Sequence, residues 1–140
     1  MIKRASSVDL PVLLGISQRS FSTPWSATSF EAEFAKPFSI TYLYVKGEQP
    51  IAYLTIWVID DEGEIVSIAV DKGWRGKGVA SALLNYVFSE CRLKVWQLEV
   101  SETNKSALSL YHKFGFRKSR IIKNYYGQGR DAIQMRKEIG

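Results

Sequence analysis

The chain of 140 residues has very little of the residue types that build disulfides and metal centres. Cys91 is its one cysteine, so no disulfide can form within the chain. His112 is its one histidine, so there is no cluster of cysteine and histidine that could hold zinc. We therefore expect no metal. We interpret Cys91 as structural on a buried helix face and His112 as structural and exposed.

The sequence also lacks a long apolar run. No stretch is long enough to span a bilayer, and the N-terminus has no charged segment followed by an apolar one, as a signal peptide would. We therefore expect a cytoplasmic protein with no membrane partner. With 46% hydrophobic and 24% charged residues, the composition is that of a globular protein, and the length predicts one domain over residues 1–140.

Charge alone does not decide between classes of partner. The net charge of +5 suits an ordinary solvated surface, attraction of a polyphosphate cofactor, or nucleic acid. No helix-turn-helix pattern and no base-stacking motif is visible. We therefore predict no direct nucleic-acid partner.

A strand and a helix are predicted on either side of a glycine-rich turn at residues 75–80. Apolar residues are nearly continuous over 65–70, as in a strand buried on both faces, and recur at helical spacing over 79–88. Gly76 and Gly78 would let the backbone approach a ligand, and the N-terminus of the helix favours an anion. These features predict a phosphate site, although such a turn can also serve turn geometry alone.

Two common phosphate motifs are excluded by the spacing at this turn. A Walker loop requires G-x-x-x-x-G-K-[ST], and a dinucleotide fingerprint requires G-x-G-x-x-G early in a βαβ unit. The turn instead reads R-x-x-G-x-A from Arg75 to Ala80.

The remaining patterns predict an α/β chain of the order β-α-α-β-β-β-α-β-α-β-β. Its antiparallel first half and βαβ second half do not fit a doubly wound dinucleotide fold. In the first helix, Val8, Leu13, Leu14 and Ile16 are expected to face inward. The other predicted strands are Met1–Arg4, Ser39–Lys46, Ile51–Asp60, Lys94–Val100, Lys118–Tyr125 and Asp131–Glu138. The other predicted helices run from a cap at Ser6 or Ser7 through about Arg19, from a cap at Ser26 to before Pro37, and over Asn104–Phe114.

Several side chains are candidates for a site, and each also has a structural interpretation. Glu99 lies near the end of a strand, where ligands sit in open α/β sheets, but most such carboxylates are surface charges. Tyr111 has the spacing of a core residue, and Asn104 can be a helix cap. Trp25 can belong to the core or to the wall of a cleft. Tyr125 and Tyr126 can be strand aromatics or site residues.

Three motifs, at matching spacing over nearly the whole chain, resemble the GNAT acetyltransferase superfamily. They are Ile68-Ala69-Val70 with the Arg75–Ala80 turn, Leu98-Glu99-Val100 with Asn104, and Ala107-Leu108-Ser109-Leu110-Tyr111 with Phe114-Gly115-Phe116. The resemblance implies the GNAT (acyl-CoA N-acyltransferase) fold, a mixed sheet of about seven strands flanked by about four helices. It also implies acetyl-CoA as co-substrate.

Further motifs resemble the RimI group, the bacterial ribosomal-protein-alanine N-acetyltransferases. They are Thr23-Pro24-Trp25-Ser26, Asn124-Tyr125-Tyr126 and Gly129-Arg130-Asp131-Ala132. The resemblance implies acetyl transfer to the N-terminal alanine of ribosomal small-subunit protein eighteen. Other protein N-termini, lysine side chains, or a non-catalytic acyl-CoA-binding module remain as alternatives.

The same resemblance implies a role for each matching residue. Glu99 would be the general base and Tyr111 the general acid. Ala80 stands where many members have glycine, which the pattern permits. The implied cofactor-binding residues are Ile68, Ala69, Val70, Arg75, Gly76, Lys77, Gly78, Val79, Ala80, Ser81 and Asn104, and the implied acceptor-binding residues are Trp25, Tyr125 and Tyr126.

Overall fold

The computed structural model describes residues 1–139, and within them the predicted order of elements is confirmed. The strands are β1 (Ile2–Arg4), β2 (Ser39–Lys46), β3 (Gln49–Ile59), β4 (Glu62–Val70), β5 (Val95–Ser101), β6 (Arg117–Ile122) and β7 (Ala132–Glu138). The helices are α1 (Leu10–Ser20), α2 (Ala27–Ala35), α3 (Val79–Glu90) and α4 (Lys105–Lys113). Short 3-10 turns occupy Ser7–Asp9 and Lys72–Trp74.

The seven strands form a mixed sheet, as predicted, and their order in it is β1-β2-β3-β4-β5-β7-β6. β1, β2 and β3 pair antiparallel, and so do β5, β7 and β6. β4 and β5 pair in parallel, with Glu64 opposite Gln97. β1 and β6 are the two edges, and both are basic: β1 carries Lys3 and Arg4, and β6 carries Arg117, Lys118 and Arg120.

The chain divides into two compact units. The first comprises Met1–Val58 and Val66–Arg92, and the second comprises Ile59–Ile65 and the described residues from Leu93 onward. The single domain that we predict from the length stays a prediction.

An aromatic cluster holds α2 in the core of the first unit. Phe30 is fully buried and makes edge-to-face contacts with Trp25 at 5.1 Å and Tyr53 at 5.6 Å between ring centroids. Leu13 and Ile16 of α1 are also fully buried, as predicted. The prediction for Val8 is wrong: its side chain is 82% exposed, because this residue lies in a 3-10 turn where α-helical spacing does not apply.

In the second unit, β5 separates a core face from a half-exposed face. Trp96, Leu98 and Val100 are buried, whereas the alternate residues of the strand are half-buried. Gly63 of β4 lies against the core face, since a Cβ there would be 2.6 Å from the Trp96 ring. The half-exposed face carries Glu99, so strand alternation directs the candidate base away from the core.

A buried carboxylate joins α2 to the strands of the first unit. Glu33 is 6% exposed and accepts hydrogen bonds from Trp57 Nε1 at 2.6 Å, Ser39 Oγ at 2.8 Å and Lys36 Nζ at 2.6 Å. Burial alone would raise the pKa of Glu33, but these bonds outweigh it and hold the pKa below its ordinary value. The carboxylate is therefore fully paired and stabilises the fold.

We expect Glu33→Ala to lower the free energy of unfolding by about 2–3 kcal/mol, because Trp57 and Ser39 lose their acceptor. Urea denaturation at neutral pH measures the change. Since the folded pKa lies below the unfolded value, this stabilisation is present above pH 4.5 and is lost as the pH falls further. Glu31→Ala, an exposed position on the same helix, is the control; an equal effect at both positions would contradict the assignment.

Candidate active site

In the first unit, ion pairing fixes the turn between β4 and α3. Asp71 follows the last residue of β4, and its Oδ1 accepts the N–H of Lys72 at 3.0 Å. Arg19 of α1 binds the same carboxylate with both groups of its fork, Nε to Oδ1 at 2.9 Å and Nη2 to Oδ2 at 2.8 Å. The bond from Arg19 is the main reason that the pKa of Asp71 lies below its ordinary value. The start of the turn is thus anchored from two sides.

The guanidinium of Arg75 binds the protein's own backbone. Arg75 Nε donates to the carbonyl oxygen of Val70 at 2.8 Å, so the side chain spans the turn. This bond uses one of the backbone groups that we predict to face the pantetheine arm. Ala69 is buried, while Ile68 and Val70 are half-buried. The hydrogen bond to Val70 therefore supports a role for Arg75 in holding the turn in position.

Open backbone lies at the glycines of the turn. Gly76 and Gly78 have left-handed φ angles of +73° and +81°, and a Cβ at either would meet no atom within 4 Å. The first helical hydrogen bond of α3 runs from Ala82 N to Gly78 O at 3.0 Å, so the N–H groups of residues 79–81 precede it. The Val79 side chain is only 7% exposed, so Val79 would contact a ligand through its backbone N–H group. The predicted binding of a pyrophosphate group by this turn stays a prediction.

Two lysines lie beside the Trp74 indole next to this turn, and sequence analysis named only one of the three residues, Lys77. Lys46 Nζ and Lys77 Nζ lie 5.4 Å and 5.5 Å from the centroid of the Trp74 ring. A small cavity beside them is lined by these three residues together with Tyr44, Ile51, Gly78 and Val79. Only Lys77 carries a sequence signal, because it lies inside the glycine motif.

In the second unit, Glu99 has a fixed polar neighbour. It lies half-buried on β5, directly opposite Gln134 of β7. Gln134 Nε2 donates to Glu99 Oε1 at 3.5 Å, a long bond that leaves the carboxylate able to accept another proton donor. Sequence analysis missed Gln134. The period-2 pattern of β7 could place it on a face but could not identify its partner.

A second carboxylate lies on the same face of the sheet. Glu64 of β4 is opposite Gln97, which precedes Glu99 by two residues and so shares its face. Glu64 is half-buried. Burial, and then the charge of Glu99, raise the pKa of Glu64 above its ordinary value. Sequence analysis did not single out this residue, which directly precedes the strand predicted at 65–70.

Tyr111 of α4 is a buried phenol. Its side chain is 5% exposed, its ring packs edge-to-face on Phe116 at 5.7 Å, and its hydroxyl forms no hydrogen bond with any of residues 1–139. Burial, and then the neighbouring Tyr126, raise the pKa of Tyr111 well above that of a free phenol. The hydroxyl therefore stays protonated at neutral pH and can act as a donor.

The loop between β6 and β7 presents two exposed tyrosines. β6 ends at Ile122 rather than at Tyr125, because Asn124 takes a left-handed φ of +57° and breaks the strand. Asp131 Oδ1 accepts the N–H of Asn124 at 2.9 Å, and Asn124 Oδ1 accepts the N–H of Gly129 at 2.8 Å. The loop is therefore held by its own polar groups.

Tyr125 and Tyr126 are 53% and 36% exposed, and their rings meet edge-to-face at 4.9 Å. Burial is the first cause that raises the pKa of each. The charges of Glu99 and Glu64 add to it at Tyr125, and Tyr125 and then Glu99 add to it at Tyr126. The second unit thus brings together Glu64, Glu99 and the two tyrosines.

The remaining predicted residues have structural roles here. Asn104 caps α4, its Oδ1 accepting the N–H of Ala107 at 3.2 Å. Trp25 is half-buried against Phe30, and its N–H donates to Ser17 Oγ at 3.1 Å. Their contacts with cofactor and acceptor stay predictions.

Among residues 1–139, no group of three or more His, Cys, Asp or Glu side chains could hold a metal ion. Nor does any helix in that range have the length and apolar character needed to cross a bilayer. His112 is exposed, as predicted, and Cys91 is half-buried just after α3, with its Sγ 3.8 Å from Tyr42 Oη.

Comparison with known proteins gives consistent matches over most of the chain. Residues 10–116 match the acetyltransferase (GNAT) family. A relative from Escherichia coli K12, named ribosomal protein bS18-alanine N-acetyltransferase, is 31% identical over 141 residues, covering 96% of this chain and 94% of that protein. The Mycobacterium tuberculosis protein named N-alpha-acetyltransferase RimI is 31% identical over 122 residues, covering 84% and 77%. The crystal structure of the ribosomal-protein-S18-alanine N-acetyltransferase from Escherichia coli matches with a TM-score of 0.92 at 28% identity, covering 100% of this chain and 94% of that chain.

Proposed function

Because the chain belongs to the GNAT acetyltransferase family, whose members use acetyl-CoA, we propose that it acetylates the α-amine of an N-terminal alanine. The proposed acceptor is ribosomal small-subunit protein eighteen, and the proposed place of reaction is the cytoplasm. The names of the relatives from Escherichia coli and Mycobacterium tuberculosis support an N-terminal acceptor.

The observation that carries the proposal is the arrangement around Glu99 in the second unit. A half-buried carboxylate with one long hydrogen bond lies near two exposed tyrosines and on the same face as a second carboxylate. A protonated amine needs a negative group to bind it and a base to deprotonate it. We assign both tasks to Glu99, with Gln134 holding its carboxylate in position.

The acceptor's own acidity favours an α-amine over a lysine side chain. An α-ammonium has a pKa of about 7.7–8.0, whereas that of lysine is about 10.4. A carboxylate can therefore deprotonate an α-amine at neutral pH with much less of a thermodynamic penalty. The free amine then attacks the thioester directly, so no covalent intermediate with the protein is needed.

Tyr111 and the turn before α3 have the complementary roles. Acetyl-CoA would supply the acetyl group as a thioester, and CoA would leave as the thiolate once the acetyl group is on the amine. We assign to Tyr111 the donation of a proton or hydrogen bond to that thiolate, since its hydroxyl is protonated and has no hydrogen-bond partner within residues 1–139. Residues 76–81 would bind the pyrophosphate through backbone N–H groups, with Arg75 bracing the turn.

The test is an acetylation assay with acetyl-CoA and a peptide beginning Ala-Arg-Tyr-Phe, analysed by tandem mass spectrometry. We expect one acetyl group, on the α-amine. The matched control is a version of this peptide whose α-amine is blocked by a formyl group and which carries an added lysine as the only free amine. This control peptide should not be acetylated. Acetylation of the lysine alone would show a lysine acetyltransferase. Binding of acetyl-CoA without any product would support a non-catalytic acyl-CoA-binding module.

A further inference from the structure

Glu64 is a half-buried carboxylate that the proposed reaction does not use. Within residues 1–139 it has no hydrogen-bond or ion-pair partner, and the charge of Glu99, which acts on it, is of the same sign. By contrast, Glu33, the buried carboxylate of the first unit, has three donors. Glu64 is therefore a negative group whose surroundings disfavour its charge.

A positive group close to Glu64 would stabilise its ionised form. Burial and like charge both disfavour an ionised carboxylate, and a cation within about 4–6 Å favours it. Arg136 lies on β7, which β5 separates from β4, and it is paired with Glu138, Nε to Oε1 at 3.2 Å. No lysine or arginine within residues 1–139 pairs with Glu64, so a cationic ligand can take this place.

The tyrosines beside Glu64 suit the same kind of ligand. Tyr125 is 53% exposed, and its phenol lies near enough to Glu64 and Glu99 to be influenced by both charges. Aromatic faces next to carboxylates bind organic cations through cation–π attraction as well as charge. The loop that carries Tyr125 is held by hydrogen bonds from Asp131 and Asn124, so this surface is formed in advance.

We propose that Glu64 is a specificity-determining residue that binds a positively charged side chain in the first few residues of the acceptor. This inference rests on the proposed function, in which Glu99 takes the α-ammonium. With strands about 4.8 Å apart and a rise of about 3.3 Å per residue, the Cα atoms of Glu64 and Glu99 are about 8 Å apart. At that separation, the two carboxylates can bind two different positive groups of one extended peptide. The substrate class is therefore an N-terminus followed closely by arginine or lysine.

The test compares three peptides that differ only in the position of one charge: Ala-Arg-Tyr-Phe, Ala-Gln-Arg-Phe and the neutral Ala-Gln-Tyr-Phe. For the wild type, we expect kcat/KM to be about tenfold higher for at least one arginine peptide than for the neutral peptide, a typical effect of a charged hydrogen bond. Glu64→Gln should abolish this preference, measured as the ratio of kcat/KM for the arginine and the neutral peptides. Glu64→Asp should restore part of it. Glu62→Gln, two residues earlier on β4 and exposed, should retain it.

Calorimetric titration of the same peptides into the protein gives a readout that does not need turnover. Charge-dependent binding that is lost in Glu64→Gln, without any acetylation, would support the role of Glu64 and refute the proposed function. Acetylation of all three peptides at equal rates by the wild type would overturn the role of Glu64 and leave the proposed function standing. An equal loss for arginine and neutral peptides in Glu64→Gln would also overturn it, since Glu64 would then act on the reaction or the fold.

Discussion

Replacing Glu99 by glutamine is expected to lower kcat for peptide acetylation by about 100- to 10,000-fold, the usual contribution of a general base. Glutamine keeps the shape of the side chain and can still bond Gln134, but it cannot take a proton. Acetyl-CoA affinity should stay within about twofold, because the cofactor's predicted phosphate site lies on the turn before α3. Steady-state kinetics with calorimetry for acetyl-CoA measures both quantities.

Glu138→Gln is the matched control for this change. Glu138 is an exposed glutamate on β7, the strand that also carries Gln134, and it is paired with Arg136 rather than with a site residue. Its kcat should equal that of the wild type. An unaltered rate in Glu99→Gln would remove Glu99 as the base. Glu64 would then be the next carboxylate to test in that role.

Gly78→Val is expected to raise the dissociation constant for acetyl-CoA by at least about 30-fold. Gly78 has a φ of +81°, and a left-handed conformation costs an L-residue about 1–2 kcal/mol, more for a branched side chain. Because a Cβ here would meet no protein atom within 4 Å, the side chain would project into the space that the pyrophosphate needs. The backbone strain at residue 78 and the obstruction of the pyrophosphate both weaken the binding of acetyl-CoA. Isothermal titration with acetyl-CoA measures the loss.

Gly73→Val is the control that separates these causes from a general effect of valine in the turn. A Cβ at Gly73 also meets nothing within 4 Å, but the residue lies in the 3-10 turn and has no left-handed φ. The affinity of the Gly73→Val variant for acetyl-CoA should differ from that of the wild type by less than about threefold. Normal affinity in Gly78→Val would refute the assignment of this turn to the pyrophosphate.

The sequence predicts the fold well where local chemistry decides the structure. The turn before α3 follows from its glycines, and both have the left-handed φ that other residues avoid. The cap of α4 follows from Asn104, whose side chain accepts the N–H of Ala107. Strand alternation also places Glu99 on the half-exposed face of β5.

The sequence fails where contacts distant in the chain decide the structure. The end of β6 depends on Asp131 binding the backbone of Asn124 across the loop, so the aromatic pattern through Tyr125 overextends the strand. The neighbours of Glu99 depend on strand register. Gln134 is 35 residues away from it, and Glu64 has the same separation in the other direction. No local pattern can predict these pairings.

The basic edges of the sheet bear on how this protein behaves when concentrated. An edge strand offers backbone groups to which a strand of another copy can add, and like charges oppose such pairing. β1 carries Lys3 and Arg4, and β6 carries Arg117, Lys118 and Arg120, so edge-to-edge approach of two copies brings cations against cations. This protection is electrostatic and weakens as salt shortens the screening length to about 3 Å at 1 M. Concentrated stocks should therefore keep best at low ionic strength, and aggregation on salting should involve growth of ordered β-structure.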